Sequence, residues 1–485
     1  MTPSARLQAV LDLLVEIEKV PRPADALVSA YFRARRYIGS HDRAAVSAML
    51  YDILRHRGRL GWWIERVLDS EDGQNPLPCH SLASDRGVRV GGPQQGQSSE
   101  LQKQSLLNPP PPNLPREGGG TIPSRLHLLA YLALAEKRSA KEVEQSFSGG
   151  KFAPASLSDE EQKFVRRLEN HTVTHPEMPD AVKVECPAWA AASLKQRFGK
   201  NFVHEMEALL QPAPLDLRVN ELKAAREDIL KELKKLGLKA EPCPLSPLGI
   251  RVRERPNLSA LPMLKNGSVE IQDEGSQLVA LAVEAKPGMR VVDFCAGAGG
   301  KTLAIAVQMQ NKGRITACDV LANRLKRSTE RFRRAGVHNI ETKALADARD
   351  PWVKKHKASF DRVLVDAPCS GVGAWRRNPD ARWRSLGPGL EALVKLQVEI
   401  LDSAARLVKP GGRLIYATCS LLPEENELQV ETFLTSHEDF KLVPYKTNED
   451  FLSLAPAQHD SDGFFAAVME RSNGLLPARG EDVKT

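Results

Sequence analysis

Apolar positions recur at helical spacing through the first part of the chain. Over residues 5–19, ARLQAVLDLLVEIEK, the side chains Leu7, Val10, Leu11, Leu14 and Val15 fall on one stripe, which predicts an amphipathic helix. The same period predicts helices at about 24–36 and from His41 to Val67, with Asp42 as an early-turn acid and Trp62-Trp63 near the end. Such an aromatic pair more often fills a core than stacks on bases. From Glu71 to Ile122 the period dissolves into Gly, Pro, Gln and Ser, including Pro109 to Pro112 and Gly118 to Gly120. Little in that stretch can offset the entropy of ordering it, so a disordered insertion is expected, inert rather than a proline-rich docking loop. Helical spacing resumes at Leu126 to Lys137 and Asp159 to Leu168, as though one bundle had been interrupted. Residues 1–180 thus read as a single all-helical domain.

The pattern then changes twice. Helical stretches at 188–198 and 201–210 lead into the alternating LDLRVN, Leu215 to Asn220. A helix from Ala224 to Leu236, a weak strand near 249–253 and a strand from Ser268 to Ile271 follow, so 181–274 reads as a small α/β module. Its Arg218 and Lys223 could face phosphates, although a solvated charged face is commoner. From Gly275 onward apolar runs alternate with helical stretches. Strands are expected at 290–294, 314–318, 340–344, 361–366 and 412–417, which implies a mainly parallel sheet with helices on both faces over 275–485.

The turn after the first of these strands carries the first chemical hint. In VVDFCAGAGGKT, Val291 to Thr302, glycines break an apolar run just before a helix, at the strand end where open α/β sheets bind ligands. A dinucleotide fingerprint and a phosphate-binding P-loop are both near misses here. Asp319 ends the next strand, where a carboxylate can bind ribose hydroxyls; Asp347 follows the third strand and Asp366 ends the fourth. Four features therefore share one sheet edge and point to a nucleoside ligand.

Composition narrows the class. The 485 residues suffice for about three domains, and the net charge of +7 permits a polyanionic partner without requiring one. The seven cysteines include no C-x-x-C and no Cys/His cluster at ligand spacing, which argues against a disulfide framework and structural zinc and favours a reducing cytoplasm. We read no export signal and no membrane span. Two cysteines stand out: Cys369 in Pro-Cys-Ser after the fourth expected strand, and Cys419 in Thr-Cys-Ser after the fifth. Each lies in a loop that would open to the cleft, whereas Cys295 and Cys318 suit the buried structural role usual for this residue. Trp375, Arg376, Arg377, Trp383 and Arg384 interleave aromatic and basic residues in one expected loop, the most RNA-like surface in the sequence. The helix bearing Lys326, Arg327, Arg331, Arg333 and Arg334 is a weaker candidate, because solvated helix faces carry such runs as often.

DAPCSGVGAWRRNPDARW (366–383), ATCSLLPEEN (417–426), CAGAGGKT (295–302) and DGFFAAV (462–468) resemble the motifs of the Sun-type RNA cytosine-5 methyltransferases, the NOL/NOP/Sun family. The nearest resemblance is to its bacterial RsmB branch, which modifies small-subunit (16S) ribosomal RNA. RAAVSAMLYDILRHRGRLGWWI (43–64) is similar to the NusB-like helical domain of that branch, and QDEGSQ (272–277) to its domain junction. The insertion at 71–122 departs from the pattern. The resemblance implies an α/β Rossmann-like S-adenosylmethionine-dependent methyltransferase domain, preceded by an all-α NusB-like domain and a small α/β RNA-binding module.

It also implies roles. Carbon 5 of cytosine is a poor nucleophile, so a thiolate must add at carbon 6 before carbon 5 can take a methyl group. By the resemblance, Cys419 attacks and Cys369 assists product release, while Asp366 holds the base near N3 and Lys301 lies by the reacting centre. Spacing alone would fit the swapped assignment equally well. S-adenosylmethionine is assigned to backbone from Cys295 through Ala296, Gly297, Ala298 and Gly299 to Gly300, with Asp319 on the ribose, Asp347 on the adenine and Arg324 at the basic position after the ribose acid. The expected partner is RNA, bound by Arg218 and the 375–384 loop with its base exposed. No metal and no membrane are called for, and a monomer is expected. A transfer RNA methyltransferase and a non-catalytic RNA-binding assembly factor stay open as rivals.

Overall fold

The first helix begins where Thr2 accepts a hydrogen bond from the Ala5 amide, and Pro3 occupies a position whose N–H a helix does not use. The computed structural model describes residues 1–69, 123–254, 256, 258, 261–383 and 387–473; the expected insertion at 71–122 lies outside the described residues. The chain divides into two units, one of Met1–Ala192 with Pro379–Leu386, the other of Ser193–Asn378 with Gly387–Thr485.

The first unit is helical. Pro3–Lys19, Ala24–Ala34, Ser40–Arg55, Arg57–Asp69, Ser124–Leu134 and Asp159–Leu168 bury Val10, Leu14, Leu50, Trp63, Leu128 and Val165 in one core. A capping box at Ser158 and Glu161 starts the last of these, satisfying amides that the helix leaves free. Sequence period predicted one helix from His41 to Val67, but the chain breaks at His56. The cause lies far away: the buried Glu185 carboxylate accepts from the Gly58 amide at 2.6 Å and the Arg59 amide at 3.0 Å, capping a new helix. Trp63 is fully buried and donates to the carbonyls of Thr172 and Val173, so the aromatic pair is core.

The second unit holds two sheets. The smaller comprises β1 (Leu215–Val219), β2 (Ala240–Pro242), β3 (Gly249–Val252) and β4 (Val269–Ile271), antiparallel in the order β2-β3-β1-β4. Helix Arg226–Lys235 packs Ile229 and Leu233 against its Leu217, Val219 and Ile250. β2 was not foreseen, being short and largely exposed.

The larger sheet contains β5 (Arg290–Asp293), β6 (Arg314–Asp319), β7 (Ile340–Ala344), β8 (Phe360–Asp366) and β9 (Val408–Thr418), all parallel. β10 (Phe440–Val443), β11 (Leu452–Leu454) and β12 (Phe464–Arg471) add an antiparallel edge, giving the order β10-β12-β9-β8-β5-β6-β7 with β11 on β12. The core follows the two-residue strand period. Val291, Leu364 and Ile415 pack in one cluster, and Val292, Val363, Val365 and Tyr416 in another. Among the described residues no helix is long and apolar enough to cross a membrane.

Candidate active site

The turn after β5 is shaped by two glycines in the left-handed region, Gly297 at φ +54° and Gly299 at φ +77°. A Cβ on Gly299 would sit 2.6 Å from the Phe332 ring, so helix Ala322–Ala335 can approach only because that side chain is missing. Beside Gly297 the space is open, with no atom within 4 Å of a Cβ placed there. Asp319, at the end of β6, fixes the turn: its carboxylate accepts from the Gly297 amide at 2.8 Å and the Leu321 amide at 2.7 Å. The Cys318 carbonyl accepts from Ala296, and Arg331 donates to the Ala298 carbonyl at 2.8 Å. Asp347 and Arg324 are exposed, Asp347 three residues beyond β7 with its carboxylate accepting from the Arg349 amide.

Lys301, in the first turn of helix Gly300–Gln308, reaches Asp366 at 2.6 Å. Burial alone would depress its ammonium, but Asp366 outweighs that and holds its pKa above the ordinary value. Below the turn, Asp293 is buried with one oxygen accepting from the Thr302 hydroxyl at 2.6 Å and the other without a partner. Burial pushes its carboxyl up to about 7. The strand ends thus carry three acids around one lysine and an open glycine turn. That donor set fits a ligand combining a diol with a sulfonium cation.

Cys369 and Cys419 follow the neighbouring strands β8 and β9, and their sulfurs lie 3.5 Å apart. Both are partly accessible, whereas Cys318 is fully buried. The hydrogen bond with Cys419, burial and the nearby Glu425 carboxylate together push the Cys369 thiol well above its usual range. The Cys419 carbonyl accepts from the Gly373 amide, and the Gly373 carbonyl accepts from Gly463, both at 2.9 Å. A Cβ on Gly373 would lie 2.1 Å from the Gly463 carbonyl oxygen, so the two backbones touch with nothing between them.

The expected RNA-facing residues sit differently from the exposed surface their composition suggested. Trp375 is fully buried. Arg376 and Arg377 turn inward onto Asp462, each at 2.5 Å, and Arg377 also reaches Asp273 at 2.8 Å. A counter-charge 85 residues downstream converts an apparent basic surface into an internal ion cluster. Trp383 belongs to the helical unit, where its ring lies against Gly58, and Arg384 lies outside the described residues. Arg218 is also buried: it donates to Gln272 and to the Gly300 carbonyl at 2.9 Å, bracing the glycine turn from behind. On the basic helix, Arg331 and Arg334 are paired with Glu270.

Sequence reasoning assigned no role to Glu425, Asn426, Ser370 or Ser420, which lie beneath the two thiols. Glu425 accepts from the Ser370 amide at 2.8 Å and from its hydroxyl at 2.5 Å. Asn426 donates to the Ser420 carbonyl at 3.0 Å. The available signal was the polar pair closing ATCSLLPEEN, next to two prominent cysteines. Asp293, Thr302 and Gln272 were missed as well, because burial cannot be read from type alone.

Residues 280–470 match the family described as 16S rRNA methyltransferase RsmB/F, and 186–259 match the ferredoxin-like domain of RsmF/B-like methyltransferases. The chain is 35% identical over 286 residues to ribosomal RNA small subunit methyltransferase B of Photorhabdus laumondii, covering 59% of this chain and 66% of that one. It is 36% identical over 298 residues to a probable ribosomal RNA small subunit methyltransferase B of Synechocystis sp., covering 59% and 67%. A solved methyltransferase homolog from Pyrococcus horikoshii superposes with a TM-score of 0.53 at 29% identity, over 61% of this chain and 100% of its own. The chain spans about two thirds of the length of the curated relatives it matches.

Proposed function

Since the chain belongs to the 16S rRNA methyltransferase RsmB/F family, we propose that it methylates carbon 5 of a cytosine in small-subunit ribosomal RNA through a covalent cysteine–cytosine intermediate. The observation that carries this reading is the 3.5 Å separation of Cys369 and Cys419 at adjacent strand ends, beside the Lys301–Asp366 pair. A binding protein has no use for two partly accessible thiols at one strand-end cleft. The proposed cofactor is S-adenosylmethionine, which when bound supplies an electrophilic methyl group on sulfur.

The cofactor would lie against backbone from Cys295 to Gly300, with Asp319 toward the ribose hydroxyls. Asp347 would meet its adenine from the exposed rim, and Arg324 would stand at the basic position after the ribose acid. The Cys419 thiolate adds to carbon 6 of the base, and the displaced π electrons make carbon 5 nucleophilic. Asp366 holds the polar edge near N3 and helps direct protonation there, which neutralises the charge that thiolate addition brings to the ring, and Lys301 keeps Asp366 in place. After methylation the carbon-5 proton passes to water or an adjacent basic group, and the electron pair of that carbon–hydrogen bond re-forms the carbon 5–carbon 6 double bond. The carbon–sulfur bond breaks as Cys369 gives its proton to the departing Cys419 thiolate. The target base must leave its stack, because carbon 6 cannot be attacked from within a helix. The helical domain and the small α/β module would each bind RNA. Six free cysteines among the described residues suit a reducing cytoplasm, where we place the protein.

Bisulfite sequencing of total RNA with and without the gene tests target and position together. One protected small-subunit cytosine that disappears with the gene is expected. Loss of protection in transfer RNA instead would replace the substrate, and no change in any RNA would refute the activity.

A further inference from the structure

The two thiols occupy matching places after matching strands, yet their surroundings differ in charge. Cys419 lies within electrostatic range of the Lys301 ammonium, which is itself paired with Asp366 at 2.6 Å. The Cys369 side carries Glu425, fully buried and held on several sides. Its carboxylate accepts from the Ser370 amide at 2.8 Å, the Ser370 hydroxyl at 2.5 Å and the Gln397 amide group at 3.0 Å. Gln397 also donates to the Pro368 carbonyl at 3.0 Å, so both neighbours of Cys369 are tied to the same pair of side chains. The Glu425 backbone is fixed too, its carbonyl accepting from the Tyr416 hydroxyl at 2.6 Å.

The network continues to the other thiol. The Ser370 hydroxyl lies 3.3 Å from that of Ser420, which accepts from the Leu422 amide at 3.0 Å. Asn426 donates to the Ser420 carbonyl and accepts from the Thr418 hydroxyl, which in turn accepts from the Ser420 amide. Consecutive residues, Glu425 and Asn426, therefore hold the loops of Cys369 and Cys419 respectively. One is anionic and the other neutral.

We infer that Glu425 is a positioning residue that sets the two cysteines apart: its buried carboxylate fixes the Cys369 loop and keeps the proton on that thiol, leaving Cys419 as the attacking sulfur. The inference rests on the methyltransfer reading for its purpose, but not for its physics. A fixed negative charge disfavours a second one beside it, and low-dielectric surroundings strengthen the effect. The upward displacement of the Cys369 thiol, set first by its hydrogen bond with Cys419 and by burial and increased by the Glu425 carboxylate, agrees with this. A protonated Cys369 is also the form that can deliver a proton during product release.

The test is alkylation of the full-length protein by iodoacetamide between pH 6.5 and 9.5, in the absence of RNA and cofactor, with each cysteine followed by peptide mass spectrometry. In the wild type Cys369 should lag Cys419 throughout. Glu425→Gln preserves the shape and can keep the Ser370 amide bond, but removes the charge. It should shift the Cys369 profile down by about one pH unit, which is about tenfold faster labelling at pH 7.5, and leave Cys419 in place. A merely structural Glu425 would not move the Cys369 profile selectively, so an unmoved profile in a variant that melts normally overturns the inference. If Glu425→Gln does not fold, the wild-type order decides alone: Cys369 reacting as fast as Cys419 refutes the assignment. Because no RNA is present, failure here leaves the methyltransfer reading standing, and absence of methyl transfer leaves this result intact.

Discussion

The strand-end cleft and the 375–377 loop are built from similar residues and end in opposite conditions. In the cleft Lys301 meets Asp366 at a pair that keeps some solvent contact, next to two partly accessible sulfurs. In the loop Arg376 and Arg377 meet Asp462 and Asp273 in the interior, around a buried tryptophan. What separates them is where the counter-charge comes from. Lys301 and Asp366 face each other because strand order puts β8 next to β5, leaving the rim above them open. The arginines are drawn in by Asp462, two residues before β12. Charge composition marks both places equally; only the cleft is placed to handle a substrate.

The sharpest way to break this contrast is to remove the sulfur proposed to attack the base. Cys419→Ala should abolish methyl transfer from labelled cofactor, a loss of at least about a thousandfold, with an unchanged melting curve, while Cys369→Ala should trap a protein–RNA adduct on a denaturing gel. An adduct from the first variant and none from the second would exchange the two roles. The loop should answer in the other currency. Asp462→Ala takes the 2.5 Å partner from the buried Arg376 and one of two acid partners from Arg377, and should cost about 3 kcal/mol in denaturant unfolding; a stability within about 1 kcal/mol of wild type would mean that Asp273 and solvent compensate the cluster.

A smaller effect separates buried from open acids within the cleft. The Asp293 carboxyl titrates at about 7 in the folded protein against 3.8 when unperturbed, so the folded state holds an extra proton between those values. The stability this confers is complete at the acid end of that window and is lost as pH rises through about 7. Asp293→Asn should flatten that fall and exceed the wild type at pH 8 by up to about 3 kcal/mol; identical pH profiles would show that Asp293 is ionised throughout. Smallest of all, Asp319→Asn should weaken S-adenosylmethionine binding about tenfold by calorimetry with little change in stability. Unaltered affinity would remove Asp319 from the cofactor site.

Four of the five parallel strands were legible as apolar runs closed by Asp or Cys, whereas the polar β7, IETKA, followed only from its place in the alternation with helices, as did the shared edge. The antiparallel strands were not, since β10 and β11 are short and β12 registered only as the motif DGFFAAV. The break at His56 was unreadable because Glu185, which makes it, is 127 residues from Gly58. Trp375 and Arg376 misled for the same reason: a local pattern states what a segment contains, while its exposure depends on what later folds against it. The site was legible to the extent that its residues stand at strand ends. The buried pair Glu425 and Asn426 was visible only as letters in a motif.

The bare contact between Gly373 and Gly463 makes the timing of assembly part of the chemistry. Gly463 immediately precedes β12, and its amide holds Gly373, whose own amide holds Cys419. A chain still lacking that strand could already possess its glycine turn, both sulfurs and the serine, Glu425 and Asn426 network that ties their loops, yet not the backbone clamp on Gly373 behind the Cys419 carbonyl. The final seating of the Cys419 loop therefore waits on the docking of this late segment, which makes β12 part of the assembly of the cleft as well as of the sheet.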